Sequence, residues 1–320
     1  MRIIRGLDRY PADAPPSVVA QGTFDGIHLG HQAIIRHAVD RARALDAQAV
    51  ALTFDPHPVA VLHPGEAPPE ILSLEDRLAE MAALGPDVGL VIPFTREFSE
   101  MEAETFVRDV LARLLRAREL VVGFNHTFGR AARGTPEGLE KLAAPFGIRV
   151  HVIPPLTVGG TVVSSSAIRE ALRAGDVRRA AELLGRPYAL RGPVLRGAER
   201  GRGLGFPTAN LALSGPLLLA RGVYAARAAW DDRAAGAVVN VGVRPTFGET
   251  TPTVEAHLLD VDLDLYGRAL TLAFLARIRD EQKFPSVNAL RTRITEDVRA
   301  ARGLLGRPDG ARAVAPPTDA

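Results

Sequence analysis

The sequence predicts an α/β protein: a parallel sheet covered by helices on both faces, then a small antiparallel β-barrel domain closed by a C-terminal helix. Three observations carry that reading. In the first half, continuous apolar runs alternate with amphipathic stretches of helical period, the pattern of strands buried on both sides. Beyond Pro187 the pattern changes to successive strands separated by turn clusters such as Asp231-Asp232-Arg233, as expected of a compact barrel. Each half also carries one glycine-containing motif, residues 22–31 in the first and residues 201–210 in the second.

The elements follow in order. Ser17 to Ala20 is a short apolar strand, and the helix after it places Ile34, Ile35, Ala38, Val39, Ala42 and Leu45 on one face. Ala49 to Phe54 is the next buried strand. Ser73 starts a helix with acidic residues in its first turn, continued by Leu78, Met81, Ala82 and Leu84. The alternation repeats with strand Gly89–Phe94, helix Glu102–Arg116, strand Glu119–Phe124, helix Pro136–Ala144 and strand Arg149–Ile153. Functional loops of such a sheet lie at the carboxyl ends of its strands. Residues 22–31, 55–58 and 123–130 all fall there. Two helices, Ser166–Ala174 and Asp176–Leu184, close this half. The barrel strands are read at Ala189–Leu195, Gly222–Trp230, Ala235–Val241, Val254–Val261 and Ala269–Ile278, followed by a helix capped by Ser286. The expected domains are residues 1–186 and 187–307, with a disordered tail at 308–320.

Composition narrows the function classes. The chain has 320 residues, enough for two separate cores, and no apolar run of membrane-spanning length. Met1-Arg2-Ile3-Ile4-Arg5 has neither the apolar core nor the small-residue cleavage site of a signal peptide. The absence of cysteine excludes disulfides, thiolate metal sites and a cysteine nucleophile. A cytoplasmic protein with no membrane partner is expected. The formal charge is only +2, lysine occurs only at Lys141 and Lys283, and no basic face is clustered, so no nucleic-acid partner is expected. Oligomeric state is left open.

In the first motif, Gly22-Thr23-Phe24-Asp25-Gly26-Ile27-His28-Leu29-Gly30-His31 lies between a strand and a helix. A helix start offers backbone N–H groups and a positive dipole end to an anion. Gly30 permits close approach, and His28 and His31 can donate to phosphate oxygens. Capping, core packing, or metal ligation by both histidines with Asp25 as third ligand are the other readings. In the second motif, Gly201, Gly203 and Gly205 precede Phe206-Pro207-Thr208-Ala209-Asn210. In an extended segment Thr208 and Asn210 face the same side, so their oxygens can converge on Mg²⁺ beside a phosphate. A plain surface turn explains the glycines alone equally well. No Gly-Lys-Ser/Thr follows, so this is not a Walker loop.

Later blocks join these motifs. Thr53-Phe54-Asp55-Pro56-His57-Pro58, Val122 to Gly129 and Ser164-Ser165-Ser166-Ala167-Ile168-Arg169 follow the first. Gly222-Val223-Tyr224, Asn240-Val241-Gly242 and Val254-Glu255-Ala256-His257 follow the second. Together the ordered blocks resemble the bacterial bifunctional riboflavin kinase/FMN adenylyltransferase (FAD synthetase) family, from about Gly22 through Arg302.

That resemblance implies a Rossmann-like nucleotidyltransferase domain followed by a riboflavin kinase barrel. It implies phosphorylation of riboflavin by ATP to FMN, then adenylylation of FMN by ATP to FAD and pyrophosphate, with Mg²⁺ at both steps. His28 and His31 are the implied catalytic pair of the adenylyltransferase. Gly22, Phe24, Asn125, Ser164, Ser165 and Arg169 are implied in holding ATP or its phosphates, and Asp25, His57 and Phe128 in bordering the flavin. In the kinase the resemblance makes Glu255 the base, Gly201, Gly203, Gly205, Thr208 and Asn210 the Mg-ATP site, and Arg279 and Phe284 neighbours of riboflavin. By strand alternation Glu255 shares a face with His257 and Leu259 and is expected to project towards the barrel interior or mouth. The family often has an acidic and an aromatic residue where this chain has Asn125-His126. Ser164 to Ser166 read without the family are ordinary helix caps, and Phe128 an ordinary core residue.

Overall fold

The computed structural model describes residues 1–130, 134–196, 203, 205–213, 215, 217–246, 249–261 and 263–306, with the backbone alone at 244–246 and 249–251. The tail at 308–320 and Gly201 lie outside the described residues. The chain divides into two compact units, Met1–Ser165 and Ser166–Ala320.

The first unit is a six-stranded sheet of β1 (Arg2–Arg5), β2 (Ser17–Gln21), β3 (Gln48–Asp55), β4 (Val88–Pro93), β5 (Ala117–Gly123) and β6 (Arg149–Ile153). All neighbours are parallel, in the order β1-β4-β3-β2-β5-β6. The helices are α1 (Leu29–Ala44), α2 (Pro58–Leu62), α3 (Leu74–Ala82), α4 (Arg96–Ser99), α5 (Ala103–Thr105) and α6 (Pro136–Ala143). A π-wound stretch, Phe106–Leu114, continues α5. A short hairpin, β7 (Thr157–Val158) with β8 (Thr161–Val162), follows β6.

Alternate residues of the same strands feed two cores. Val18 and Ala20 of β2 pack with Ile34, Ile35, Ala38 and Val39 of α1 and with Leu78 and Met81 of α3. Val19, from the same strand, packs with Phe106, Val110, Leu111 and Leu139 on the other face. The chain runs outward from β2 to β3 and β4, then returns to β5 on the other side of β2. The carboxyl end of β2 is therefore the topological switch point of the sheet, where ligands of open α/β folds bind.

The second unit opens, from Ser166 on, with α7 (Ser165–Ala174) and α8 (Val177–Leu184). It then closes a barrel of β9 (Ala189–Leu195), β10 (Ala209–Leu211), β11 (Gly222–Trp230), β12 (Arg233–Thr246), β13 (Glu249–Leu258) and β14 (Ala269–Arg279), in the order β10-β13-β12-β11-β14-β9. Helix α9 (Val287–Leu305), capped by Ser286 Oγ on the Ala289 N–H, lays Ala301, Val298 and Leu305 over Val223, Ala225 and Val238 on the outer wall. β1 and β10 were not expected from sequence. β1 buries only Ile4 among four residues and β10 has three residues, too few for a periodic signal.

Candidate active sites

In the first unit the predicted loop does sit on the switch point. Between β2 and α1 the backbone turns through Phe24 at φ 53° and Ile27 at φ 42°, left-handed values that ordinary side chains seldom adopt. Hydrogen bonds within and beneath the turn help to hold it. The Ile27 N–H donates to the Phe24 carbonyl at 3.1 Å, the Gln32 side-chain amide to the Ile27 carbonyl at 3.0 Å, and the Thr53 hydroxyl to the Thr23 carbonyl at 3.0 Å. Phe24 is fully buried beneath it and meets the His31 ring edge-on, with centroids 5.3 Å apart.

His28 is the N-cap of α1: its Nδ1 accepts from the His31 N–H at 3.3 Å. Serine, threonine, aspartate or asparagine would do this by default. An imidazole does it while fixing its own tautomer, because an accepting Nδ1 leaves the proton on Nε2 as a donor. A side chain at Gly30 would begin 3.2 Å from that ring, so glycine leaves it room. The His28 and His31 rings stack with centroids 3.5 Å apart. Burial, then His28, then Arg77 hold the His31 imidazole well below its ordinary range, so it is neutral near pH 7. Its buried Nδ1 has no protein partner among the described residues.

The other predicted residues of this unit have definite places. The Asp25 carboxylate is buried and accepts from the backbone N–H of Ile71 at 2.9 Å and of Leu72 at 3.4 Å, tying the loop to the entry of α3. Ser165 Oγ donates to the Asp25 carbonyl at 2.9 Å, which brings the Ser164-Ser165 segment onto the loop. Arg169 lies one turn further along α7 and is buried, in the second compact unit. Gly22 directly follows β2, its N–H bonded to the Leu52 carbonyl. His57, beyond the end of β3, caps α2 through Nδ1 on the Val59 N–H at 3.2 Å. Asn125 is exposed just past β5. Phe128 is core, 7 % exposed, packed against Phe106 and stacked over His126.

Sequence reasoning passed over Arg77. This residue of α3 is 1 % exposed and donates to two backbone carbonyls, Thr23 at 2.7 Å and Phe54 at 3.2 Å. The signal was present: an arginine in the apolar stripe formed by Leu74, Leu78 and Met81.

In the second unit, strand pairing builds a polar row. Asn210 of β10 stands directly opposite Glu255 of β13, and Glu255 stands opposite Asn240 of β12. Val254, Ala256 and Leu258 are buried, whereas Glu255 and His257 are half-exposed. The expectation that Glu255 projects towards the barrel interior or mouth is therefore corrected. Buried apolar and aromatic side chains, Tyr224, Val239, Ala256 and Phe274 among them, fill the inside, and the carboxylate stands on the outer wall. Thr208 and Gly205 lie just before β10, and Gly203 is exposed. The segment is pinned through the His257 ring, whose Nδ1 lies 2.9 Å from the Pro207 carbonyl and which Phe206 meets edge-on. A side chain at Gly242 would begin 2.7 Å from Glu281 Oε1 and 3.3 Å from Asn240 Nδ2, so glycine lets Glu281 approach the row. Arg279 is bound by a bidentate pair to the buried Asp297, its shortest contact 2.7 Å, and its guanidinium lies 5.6 Å from the Phe284 ring centre.

Comparison with known proteins places two models on the chain. The model described as FAD synthetase matches residues 10–167, and that described as riboflavin kinase matches residues 184–305. The chain is 34% identical over 309 residues to the bifunctional riboflavin kinase/FMN adenylyltransferase of Escherichia coli strain K12, covering 96% of this chain and 98% of that one. The protein of that name from Pseudomonas fluorescens is 36% identical over 305 residues, covering 95% and 98%. A crystal structure of a protein called a macrolide-efflux protein, from Streptococcus pneumoniae, superposes with a TM-score of 0.86 at 31% identity, covering 94% of this chain and 99% of that one. Among the described residues of this chain, no helix is long and apolar enough to cross a membrane.

Proposed function

The chain belongs to the bifunctional riboflavin kinase/FMN adenylyltransferase family, and from that premise we propose which residues carry each step. It phosphorylates riboflavin to FMN and adenylylates FMN to FAD, with ATP as co-substrate of both reactions.

For adenylyl transfer, the FMN phosphate attacks the α-phosphorus of ATP and pyrophosphate leaves. A phosphate nucleophile is already ionised, so no base is needed and positioning with charge stabilisation carries the rate. His28 offers Nε2–H beside the start of α1, and His31 shares the same triphosphate. Ser164, Ser165 and Arg169 take the pyrophosphate. Gly22 and Phe24 shape the loop, and Asn125 contacts the nucleotide. Asp25, His57 and Phe128 border the flavin in this proposal.

For phosphoryl transfer, a neutral ribityl hydroxyl must lose its proton as it attacks the γ-phosphorus. Glu255 accepts that proton from the outer wall of the barrel. Gly201, Gly203 and Gly205 cover the phosphates. Thr208 and Asn210 present the hydroxyl and amide oxygens that a hard cation prefers, so the donor set fits Mg²⁺. When bound there, Mg²⁺ neutralises phosphate charge. Arg279 and Phe284 flank the flavin, Arg279 being fixed by Asp297. The division of labour follows residues 1–186 and 187–307.

One observation carries the assignment: the stacked histidines and the Asn210–Glu255 pair belong to different compact units, each with its own core. Riboflavin, ATP and Mg²⁺ incubated with the protein should yield FMN and then FAD. Glu255→Ala should stop the first product while leaving FAD formation from supplied FMN, and His31→Ala should do the reverse. Loss of both activities from either variant, in a folded protein, defeats the assignment.

A further inference from the structure

Arg77 is a costly residue to bury. The residue is 1 % exposed, and among the described residues its guanidinium donates to the neutral carbonyls of Thr23 and Phe54 while its Nε has no partner. No ion pair joins Arg77 to a carboxylate among the described residues, although surface arginines of the same unit are paired, as Arg108 with Asp109 and Arg130 with Glu100. The nearby Asp25 carboxylate accepts from backbone N–H groups of Ile71 and Leu72. A desolvated cation without a counter-charge is unfavourable, and breaking up buried pairs is penalised for the same reason.

The position of the charge resolves the difficulty. The two carbonyls belong to the loop after β2 and to the end of β3, both at the carboxyl edge of the sheet. The positive start of α1 and the His28–His31 stack face the same place, and the field of Arg77 is felt at His31.

We propose that Arg77 is an electrostatic positioning residue for adenylyl transfer: it braces the residue 22–31 loop from beneath, and its missing counter-ion is supplied by the triphosphate held above that loop. This rests on the assignment of the triphosphate to the loop. Arg77 touches no substrate; it acts through the Thr23 carbonyl and through a fixed charge that needs no reorganisation during reaction. A purely structural strut would depend on hydrogen-bonding shape rather than on charge.

Three variants separate these roles, with FAD formation from FMN and ATP as the reaction and riboflavin phosphorylation by the same chain as internal reference. Arg77→Lys, which keeps the charge, should hold KM for ATP within about threefold of the parent, while Arg77→Met should raise it about tenfold or more, with a smaller change in kcat. The kinase KM for ATP should be unchanged in both. Histidine resonances should show the His31 pKa rising in Arg77→Met and not in Arg77→Lys. Equal damage from Lys and Met, or a native KM in Arg77→Met, overturns the proposal.

If Arg77→Met does not fold, the parent protein decides. The guanidinium resonances of Arg77 should shift when a non-hydrolysable ATP analogue binds, and unchanged resonances at saturation overturn the proposal. His31→Ala tests the underlying assignment separately. If it keeps full FAD synthesis, the loop is not the triphosphate site; if it is inactive while Arg77→Met is normal, only the role of Arg77 fails.

Discussion

His28 and His31 stack with ring centroids 3.5 Å apart, and Nδ1 of the first accepts the backbone N–H of the second. One hydrogen bond thus caps α1, fixes a tautomer and leaves two imidazoles stacked beside a helix start. Two rings this close resist double protonation, which is one reason the His31 pKa lies well below the ordinary imidazole value. A polyphosphate bound at the proposed site would reverse that balance.

The first expectation is proton uptake. Because the folded, ligand-free His31 is neutral at pH 7 and an anion stabilises a charged imidazole, ATP bound at the proposed site should raise its pKa. KM for ATP in FAD synthesis should therefore fall as pH is lowered from about 8 to about 6. Calorimetry of ATP-analogue binding in buffers of different ionisation enthalpy should show protons taken up by the parent protein and fewer by His31→Ala.

Glu255→Gln removes the proposed proton acceptor while keeping the side-chain shape. Riboflavin phosphorylation should lose about 10²- to 10⁴-fold in kcat, with KM for riboflavin little changed, because the loss is confined to the transition state. FAD formation from supplied FMN should stay at the parent rate. Quenched-flow assay of each half-reaction separates the two.

Acid stability should show two windows. The Glu119 carboxylate is held by Arg41 at 2.7 Å and by His151 at 2.8 Å, lowering its pKa to about 2. Its contribution is complete above the unfolded value and is lost as pH falls from about 4.5 towards 2. His126 is buried neutral, its pKa lowered to about 4, so its contribution is lost earlier, as pH falls from about 6.5 towards 4. Urea melts should find Glu119→Gln about 2 kcal/mol less stable at pH 7. The gap to the parent should shrink below about pH 4. His126→Phe should flatten the upper window.

Asp25 joins its loop to the entry of α3 through two backbone N–H groups. Asp25→Asn keeps an acceptor and should cost less than Asp25→Ala, which should lose about 1–3 kcal/mol and loosen residues 69–73 in hydrogen exchange.

Much of this was legible in the chain. β2, β3 and β5 read as continuous apolar runs because both faces of the sheet are covered, and the residue 22–31 loop followed from its place between strand and helix. Sequence correctly put Glu255 and His257 on one face of β13, and barrel closure decided which face: Val254, Ala256 and Leu258 take the interior. The opposition of Asn210, Glu255 and Asn240 is a property of strand register, which no local pattern encodes. Arg77 could have been flagged, since an arginine within an apolar helical stripe needs a reason. Its carbonyl partners lie 54 and 23 residues away, and only the fold shows them.

The decisive measurement is a product time course from riboflavin, ATP and Mg²⁺ for the parent protein and for the His31→Ala and Glu255→Ala variants. His31→Ala should accumulate FMN without FAD. Glu255→Ala should leave riboflavin untouched yet convert added FMN to FAD. A single variant that silences both conversions while its two units stay folded would contradict the assignment of one reaction to each half of the chain.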